Sequence, residues 1–341
     1  MTALDAPFWM VVVLMEVPTG AIADRFGRKV SLSLGSIAFA VAIFTFGIAD
    51  TFPLLLAAYL AWGVSLTLES GADAAFMYDT LRVMGRESDY QRLYGRAFAF
   101  QQLGVIAGTV IGAPLAAWTD LSVPVVISAA IAVLAWAVTL TFREPPRHHE
   151  GEQQAGYVQG IKIAFRAIAH TPALRYLMLL AASVWAAAMC FEILRQPFLS
   201  SHGVEVDLFG WLALPGEFVS ILMALGAYRI SRMVGANRLV LALPLVTGGV
   251  GAILGAWDSL GAFVFYPLLG VVFGLSNTVV SDYINARIPS AQRATVLSFF
   301  SLMFSVIVAP IEPALGAIAD ASGLQAAFQV GRSSCLRSRC R

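Results

Sequence analysis

The chain has 341 residues, of which 58% are hydrophobic and 13% charged, and its mean hydropathy is +0.76. That balance excludes an ordinary soluble domain and places the chain in a membrane. A net charge of +1 offers no footprint for nucleic acid, and three cysteines (Cys190, Cys335, Cys340) give neither a disulfide framework nor a metal spacing.

Apolar runs long enough to cross a bilayer, about 20 residues at 1.5 Å rise, fall at 4–22, 30–48, 53–78, 97–118, 122–142, 174–198, 208–228, 238–257, 260–284 and 294–318. They predict ten helices of an all-α, multi-pass integral membrane protein, since barrel strands would be half as long. "MTALDAPFWM" lacks the basic start of a secretory signal, so 4–22 reads as a mature helix. It runs into "EVPTGAIADRFGRK", where Glu16, Asp24, Arg25, Arg28 and Lys29 are spaced by Gly20 and Gly27. Gly20 suits close helix approach and Gly27 a tight turn, while Arg28 and Lys29 suit anchorage in cytoplasmic headgroups. Asp24 is placed to meet a helix N-terminus or pair with an arginine.

The third run carries Glu69 and Asp73, four apart, which predicts one helix face where two carboxylates share a proton or, alternatively, a shallow Asp73 that solvates. In the fourth, Gly104, Gly108 and Gly112 lead to Pro114 at a spacing that lines one face, for a sliding contact or for plain small-residue packing. A polar stretch at 143–173 follows the fifth run. His148 and His149 lie there without further ligands, which argues against a metal site. "VQGIKIAFRAIAH" puts Lys162 and Arg166 four apart and predicts an amphipathic helix on the inner membrane surface.

Beyond it, Glu192 and Arg195 are three apart and either pair with each other or leave Arg195 for an anionic group. Glu217 follows Pro215 and Gly216, at a local helix break, and is the leading candidate for a coupling carboxylate. Glu312 sits between Pro310 and Pro313. Each charge within a span costs roughly 2.5–3.5 kcal/mol if it faces lipid, so these groups are expected to face protein, water or one another.

Alternating the loops between two sides gathers most Lys and Arg, including Arg25, Arg28, Lys29, Arg82, Arg143, Arg229 and Arg293, on one side; Asp50, Asp120, His202 and Asp258 fall on the other. The basic side is cytoplasmic by the positive-inside rule. The closing "GRSSCLRSRCR" falls on the opposite side and breaks that rule.

"GAIADRFGRK" echoes "AYRISRMVGANR" at an offset of about 207 residues, and Asp79 with Arg92 echoes Asp282 with Arg293. Two homologous halves follow: a bundle at 1–142, the loop at 143–173, a second bundle at 174–330 and an atypical tail at 331–341. Subtracting the offset leaves one helix of each half without a partner, so the expectation is a chain shortened at both ends, with a frame change near Gly331. The alternative is a natural ten-helix protein.

Gly20, Asp24, Arg25, Gly27, Arg28 and Lys29 fit without a gap the loop signature Gly-x-x-x-Asp-Arg-x-Gly-Arg-Lys, and on these residues the chain resembles the major facilitator superfamily. The resemblance implies a two-bundle fold with about ten of twelve helices present, the first and twelfth lacking, and a gating role for Asp24 and Arg25. The Gly104 to Pro114 stretch resembles in part the fifth helix of proton-exchanging exporters, whereas Tyr59 stands where an arginine is usual in the preceding helix.

No hydrolase, metalloprotease or phosphate-loop motif occurs, which points away from an enzyme. The function expected is proton-coupled export of a small molecule by alternating access, as a monomer in the plasma membrane with the proton gradient in place of a cofactor. The competing expectation is a shortened, non-transporting membrane protein.

Overall fold

A computed structural model describes residues 2–120, 122–146, 157–205, 208–288 and 293–328. His148, His149, Cys335, Cys340 and the tail lie outside the described residues.

The described residues form α1 (Thr2–Phe26), α2 (Arg28–Ile48), α3 (Phe52–Glu69), α4 (Ala72–Val83), α5 (Tyr90–Trp118), α6 (Ser122–Leu140), α7 (Tyr157–His170), α8 (Pro172–Ser201), α9 (Phe209–Val234), α10 (Ala236–Ala256), α11 (Leu269–Asn285) and α12 (Arg293–Ser322). A 3₁₀ segment, Leu260–Leu268, leads into α11. Ten stretches among the described residues are long and apolar enough to cross a bilayer, one for each run read from the sequence.

One run departs from expectation. The stretch 53–78 is not one helix: it breaks at Ser70–Gly71, where Gly71 takes φ 71°. Glu69 therefore ends α3 and Asp73 opens α4, so the pair does not share one helical face. The left-handed turn needs glycine, and a Cβ on Gly71 would also come within 2.9 Å of the Ala294 carbonyl oxygen and of Leu297 Cβ.

By contacts the chain forms two compact units. Unit 1 comprises Met1–Tyr90, Gly112–Arg175 and Ile284–Ser305; unit 2 comprises Gln91–Ile111, Tyr176–Tyr283 and Val306–Arg341. In unit 1, α2 packs between α3 and α6, α1 packs on α3, and α7 lies against α1. Small residues permit this, since lipid leaves van der Waals fit and hydrogen bonds to hold helices together. A Cβ on Gly35 would come within 3.2 Å of the Ser65 carbonyl, and Ala40, Ala42 and Ala58 are buried. The Ser31 hydroxyl donates to the Leu68 carbonyl (2.7 Å) and Thr19 to the Thr67 carbonyl (2.7 Å). Outside the spans, Asp120 receives the Ser122 hydroxyl and N–H, and these bonds hold its carboxyl below the usual range.

In unit 2, α9 and α10 pack on one another and on the 3₁₀ segment, and α8 is largely buried. Gly270 and Gly274 bring α11 onto the backbone of α9, with Ser220 N 2.8 Å from a Cβ built at Gly270. Phe263 stacks on Tyr266 (centroids 4.8 Å apart), and Phe191 on Phe328 (5.8 Å).

Candidate functional site

The loop motif forms a buried charge brace within unit 1. Asp24, near the end of α1, accepts hydrogen bonds from Ala294 N (3.2 Å), Thr295 N (2.9 Å) and the Thr295 hydroxyl (2.8 Å), so its carboxylate sits on the first turn of α12. A helix start presents unsatisfied N–H groups and the positive end of its dipole, which suits an anion. Both alternatives read for Asp24 are realised together, because Arg28 also reaches it (Nη2–Oδ1, 3.4 Å).

Arg28 overturns the expectation of a headgroup anchor. It is 4% exposed and ion-paired with Asp79 of α4, which is also 4% exposed. Asp79 pairs in turn with Arg293, 1% exposed at the start of α12. Arg293 donates to the carbonyls of Ile288 (2.7 Å) and Asn285 (3.1 Å) and lies 4.4 Å from the Tyr78 ring centroid. Two cations around one buried anion are tolerable only because these carbonyls and Asp24 share the excess charge. Lys29 donates from Nζ to the Leu140 carbonyl (2.8 Å), and Arg25 is exposed over the Phe26 ring.

Glycine sets the approach of these elements. A Cβ on Gly20 would collide with the Ser298 side chain and come within 3.1 Å of Thr295 Cα, and the Gly71 break closes on the same turns of α12. Ser70 Oγ donates to Ser301 Oγ (2.7 Å). Sequence reasoning missed Glu144, whose carboxylate accepts from Arg28 N (2.9 Å) and Lys29 N (2.8 Å) and so caps α2 from the stretch after α6. Its only signal was an acid directly beside Arg143 at the end of an apolar run.

The candidate acids are divided between the two units. Glu192, Arg195, Glu217 and Glu312 belong to unit 2, Glu69 and Asp73 to unit 1. In unit 2, Glu192 of α8 pairs with Arg195, and the Tyr266 hydroxyl donates to Glu192. Glu217, in α9 just after Pro215 and Gly216, receives the Gln102 side-chain amide and lies within electrostatic reach of Glu192 and Arg195. Glu312 is within electrostatic reach of Cys190. Tyr266 and Gln102 went unread in the sequence, although a Gln pair inside an apolar run, "FQQLG", was a legible oddity. Two carboxylates, one guanidinium, a phenol and an amide give this cluster a net negative charge when all are ionised, able to take a proton or a cation.

In unit 1, Glu69 receives the Ser36 hydroxyl (3.0 Å), and Asp73 accepts from Ala74 N (2.6 Å). Glu16 is buried at 1% exposure beside Pro18. A Cβ built on Gly104, Gly108 or Gly112 meets nothing within 4 Å among the described residues, and Pro114 is exposed.

Known proteins supply the context. Over 161 residues the chain is 31% identical to Multidrug resistance protein 1 of Bacillus subtilis (strain 168), a match covering 47% of this chain and 40% of that protein. Over 335 residues it is 23% identical to an uncharacterized transporter of the same bacterium, YxaM, covering 93% and 80% respectively. Among solved structures, the human organic anion transporter MFSD10 (TETRAN) superposes with a TM-score of 0.79 at 18% identity, covering 98% of this chain and 82% of that one. FucP in its outward conformation superposes with a TM-score of 0.76 at 15% identity, covering 99% and 88%. At these identities the likeness is one of fold. The family model of the Major Facilitator Superfamily matches residues 1–311, and with ten spans and the loop motif in place this multi-pass integral membrane protein belongs to that superfamily.

Proposed function

We propose that the chain is a secondary active transporter that exports a small molecule in exchange for protons, working by alternating access in the plasma membrane as a monomer. The observation that carries this reading is the unit 2 cluster, where Glu217 lies in a span, bonded to Gln102 and within electrostatic reach of Glu192 and Arg195. A carboxylate that is neutral when protonated and charged otherwise favours different surroundings in its two states, which is what coupling a proton to a conformational change requires. The proton gradient is the energy source, and no cofactor is called for. The brace on α12 serves as a gate: Asp24 and Arg28 hold one state and release it during turnover. A hydrophobic, drug-like substrate is favoured by the likeness to Multidrug resistance protein 1.

The test uses everted membrane vesicles carrying the protein, acidified inside, with ethidium as the probe. Ethidium should accumulate, the accumulation should collapse when nigericin removes the pH gradient, and Glu217→Gln should abolish it. Accumulation that ignores the gradient, or survives Glu217→Gln undiminished, would overturn proton coupling through this residue.

A further inference from the structure

Glu16 belongs to neither the brace nor the unit 2 cluster. It stands within the apolar run of α1, 1% exposed, and its Oε1 has no hydrogen-bond partner. We propose that Glu16 is a proton-binding site inside unit 1: a neutral acid whose proton completes a hydrogen-bonded link with Ser70 and Ser301, so that loss of the proton parts α12 from the α3–α4 break.

Burial comes first. One turn beyond Glu16, α1 meets α12 so closely that a Cβ on Gly20 would collide with the Ser298 side chain, and α12 closes on the break at Gly71 as well. An ionised carboxyl in such a contact needs a counter-charge. None is in place among the described residues: besides burial, the groups that act on Glu16 are the Ser70 and Ser301 hydroxyls. The charged groups on the surrounding elements are engaged elsewhere. Asp24 of α1 sits on the first turn of α12, and Arg28 of α2 and Arg293 of α12 pair with Asp79 of α4. Glu69 of α3 takes the Ser36 hydroxyl, Asp73 of α4 takes the Ala74 N–H, and Lys162 and Arg166 of α7 are exposed.

Counting donors then decides the form. Ser70 Oγ donates to Ser301 Oγ (2.7 Å), and that bond uses one of the two hydroxyl protons. An ionised Glu16 would receive the other alone, with its second oxygen bare in a low-dielectric interior. A neutral acid removes the shortage: Glu16 donates to Ser70, Ser70 to Ser301 and Ser301 back to Glu16, one donor for each bond. The bare Oε1 is then an uncharged carbonyl oxygen, far cheaper to bury than a carboxylate. A metal ion in place of the proton would need more oxygen ligands than one carboxyl and two hydroxyls supply. The three groups come from α1, the turn after α3 and α12, so ionisation removes a bond of the ring and sets a charge between the elements it joins. This inference rests on neither export nor Glu217.

Infrared spectra of the purified full chain in nanodiscs test the bound proton. The unmodified chain should show the carbonyl band of a protonated carboxylic acid, and Glu16→Gln should lose intensity there. Ser70→Ala should shift that intensity to higher frequency by removing its hydrogen bond. Absence of the band from the unmodified chain, or a band unchanged in Glu16→Gln, would overturn the proposal. Should Glu16→Gln misfold, Ser70→Ala decides, and a band that does not move would refute the link. The second half is read from thermal midpoints. The folded chain holds the proton and the unfolded chain releases it, so raising the pH from about 6 to about 9 should lower the midpoint of the unmodified chain more than that of Glu16→Gln. Equal falls in the two chains would show that the proton does not hold this contact.

Discussion

The turn between α1 and α2 and the turn between α9 and α10 lie in stretches that echo each other in sequence, and both are made by a glycine at positive φ, Gly27 at 119° and Gly235 at 90°. The backbone solution is shared; the chemistry is not. Around the first turn Asp24, Arg28, Asp79 and Arg293 are buried or nearly so and ion-paired, and Glu144 caps α2. Around the second, Ser231 stands where Asp24 stands and donates to Gln91 Oε1 (2.8 Å), and Arg232 reaches only as far as the Tyr228 hydroxyl (3.1 Å) from an exposed position. A Cβ built on Gly235 meets nothing within 4 Å among the described residues. Two turns with the same backbone device thus differ in chemistry, with a neutral bond at one and concentrated charge at the other, which is where a switchable contact can be built.

The largest expected effect follows from breaking the charged copy. Asp79→Ala leaves Arg28 and Arg293 without their shared anion and should cost about 3–5 kcal/mol, the range for a broken buried pair, read as a fall in the thermal midpoint of the detergent-solubilised protein. Arg232→Ala in the neutral copy should stay within about 0.5 kcal/mol, as exposed substitutions do. Similar losses from both would erase the asymmetry.

Next comes backbone shape. Gly71→Ala forces a side chain into the left-handed region against the Ala294 carbonyl, and should cost more than Gly235→Ala, which meets only the conformational penalty of about 1–3 kcal/mol. The same melting comparison decides it, and a milder Gly71 variant would contradict the close approach.

Smaller still is the cap. Glu144→Ala should cost about 0.5–2 kcal/mol, the range for removing a helix N-cap, and should raise amide exchange at Arg28 and Lys29, whose N–H groups it holds. Exchange unchanged at both would remove Glu144 from the brace. Ser231→Ala should cost less than the cap, since it loses one neutral hydrogen bond worth about 1 kcal/mol, read in the same melting comparison.

The spans were legible because bilayer thickness imposes a length on apolar runs that composition alone reveals, and the loop motif was legible because its glycines and charges are adjacent in sequence. What escaped was everything that depends on partners far along the chain. Arg28 looks like a surface cation beside Lys29, yet Asp79 and Arg293, distant in sequence, draw it inside. Glu144 caps a helix that begins 116 residues earlier. Gly71 between two acids read as part of a continuous helix because glycine is common within membrane helices, and only the close approach of α12 shows why the chain turns there. Glu192 and Arg195 were readable as a pair, being three apart on one helix, whereas Tyr266 and Gln102 complete their cluster from other helices.

Gating by the brace is the central claim, and a cross-link between the α3–α4 break and α12 tests it most directly. Ser70 and Ser301 have hydroxyl oxygens 2.7 Å apart, so Ser70→Cys with Ser301→Cys, in a chain whose three cysteines are changed to serine, should form a disulfide on oxidation. If α12 leaves the break during turnover, oxidation should abolish gradient-driven ethidium accumulation and reductant should restore it. Full accumulation with the disulfide formed would show that these elements never part, and the brace would then be a fixed strut and no gate.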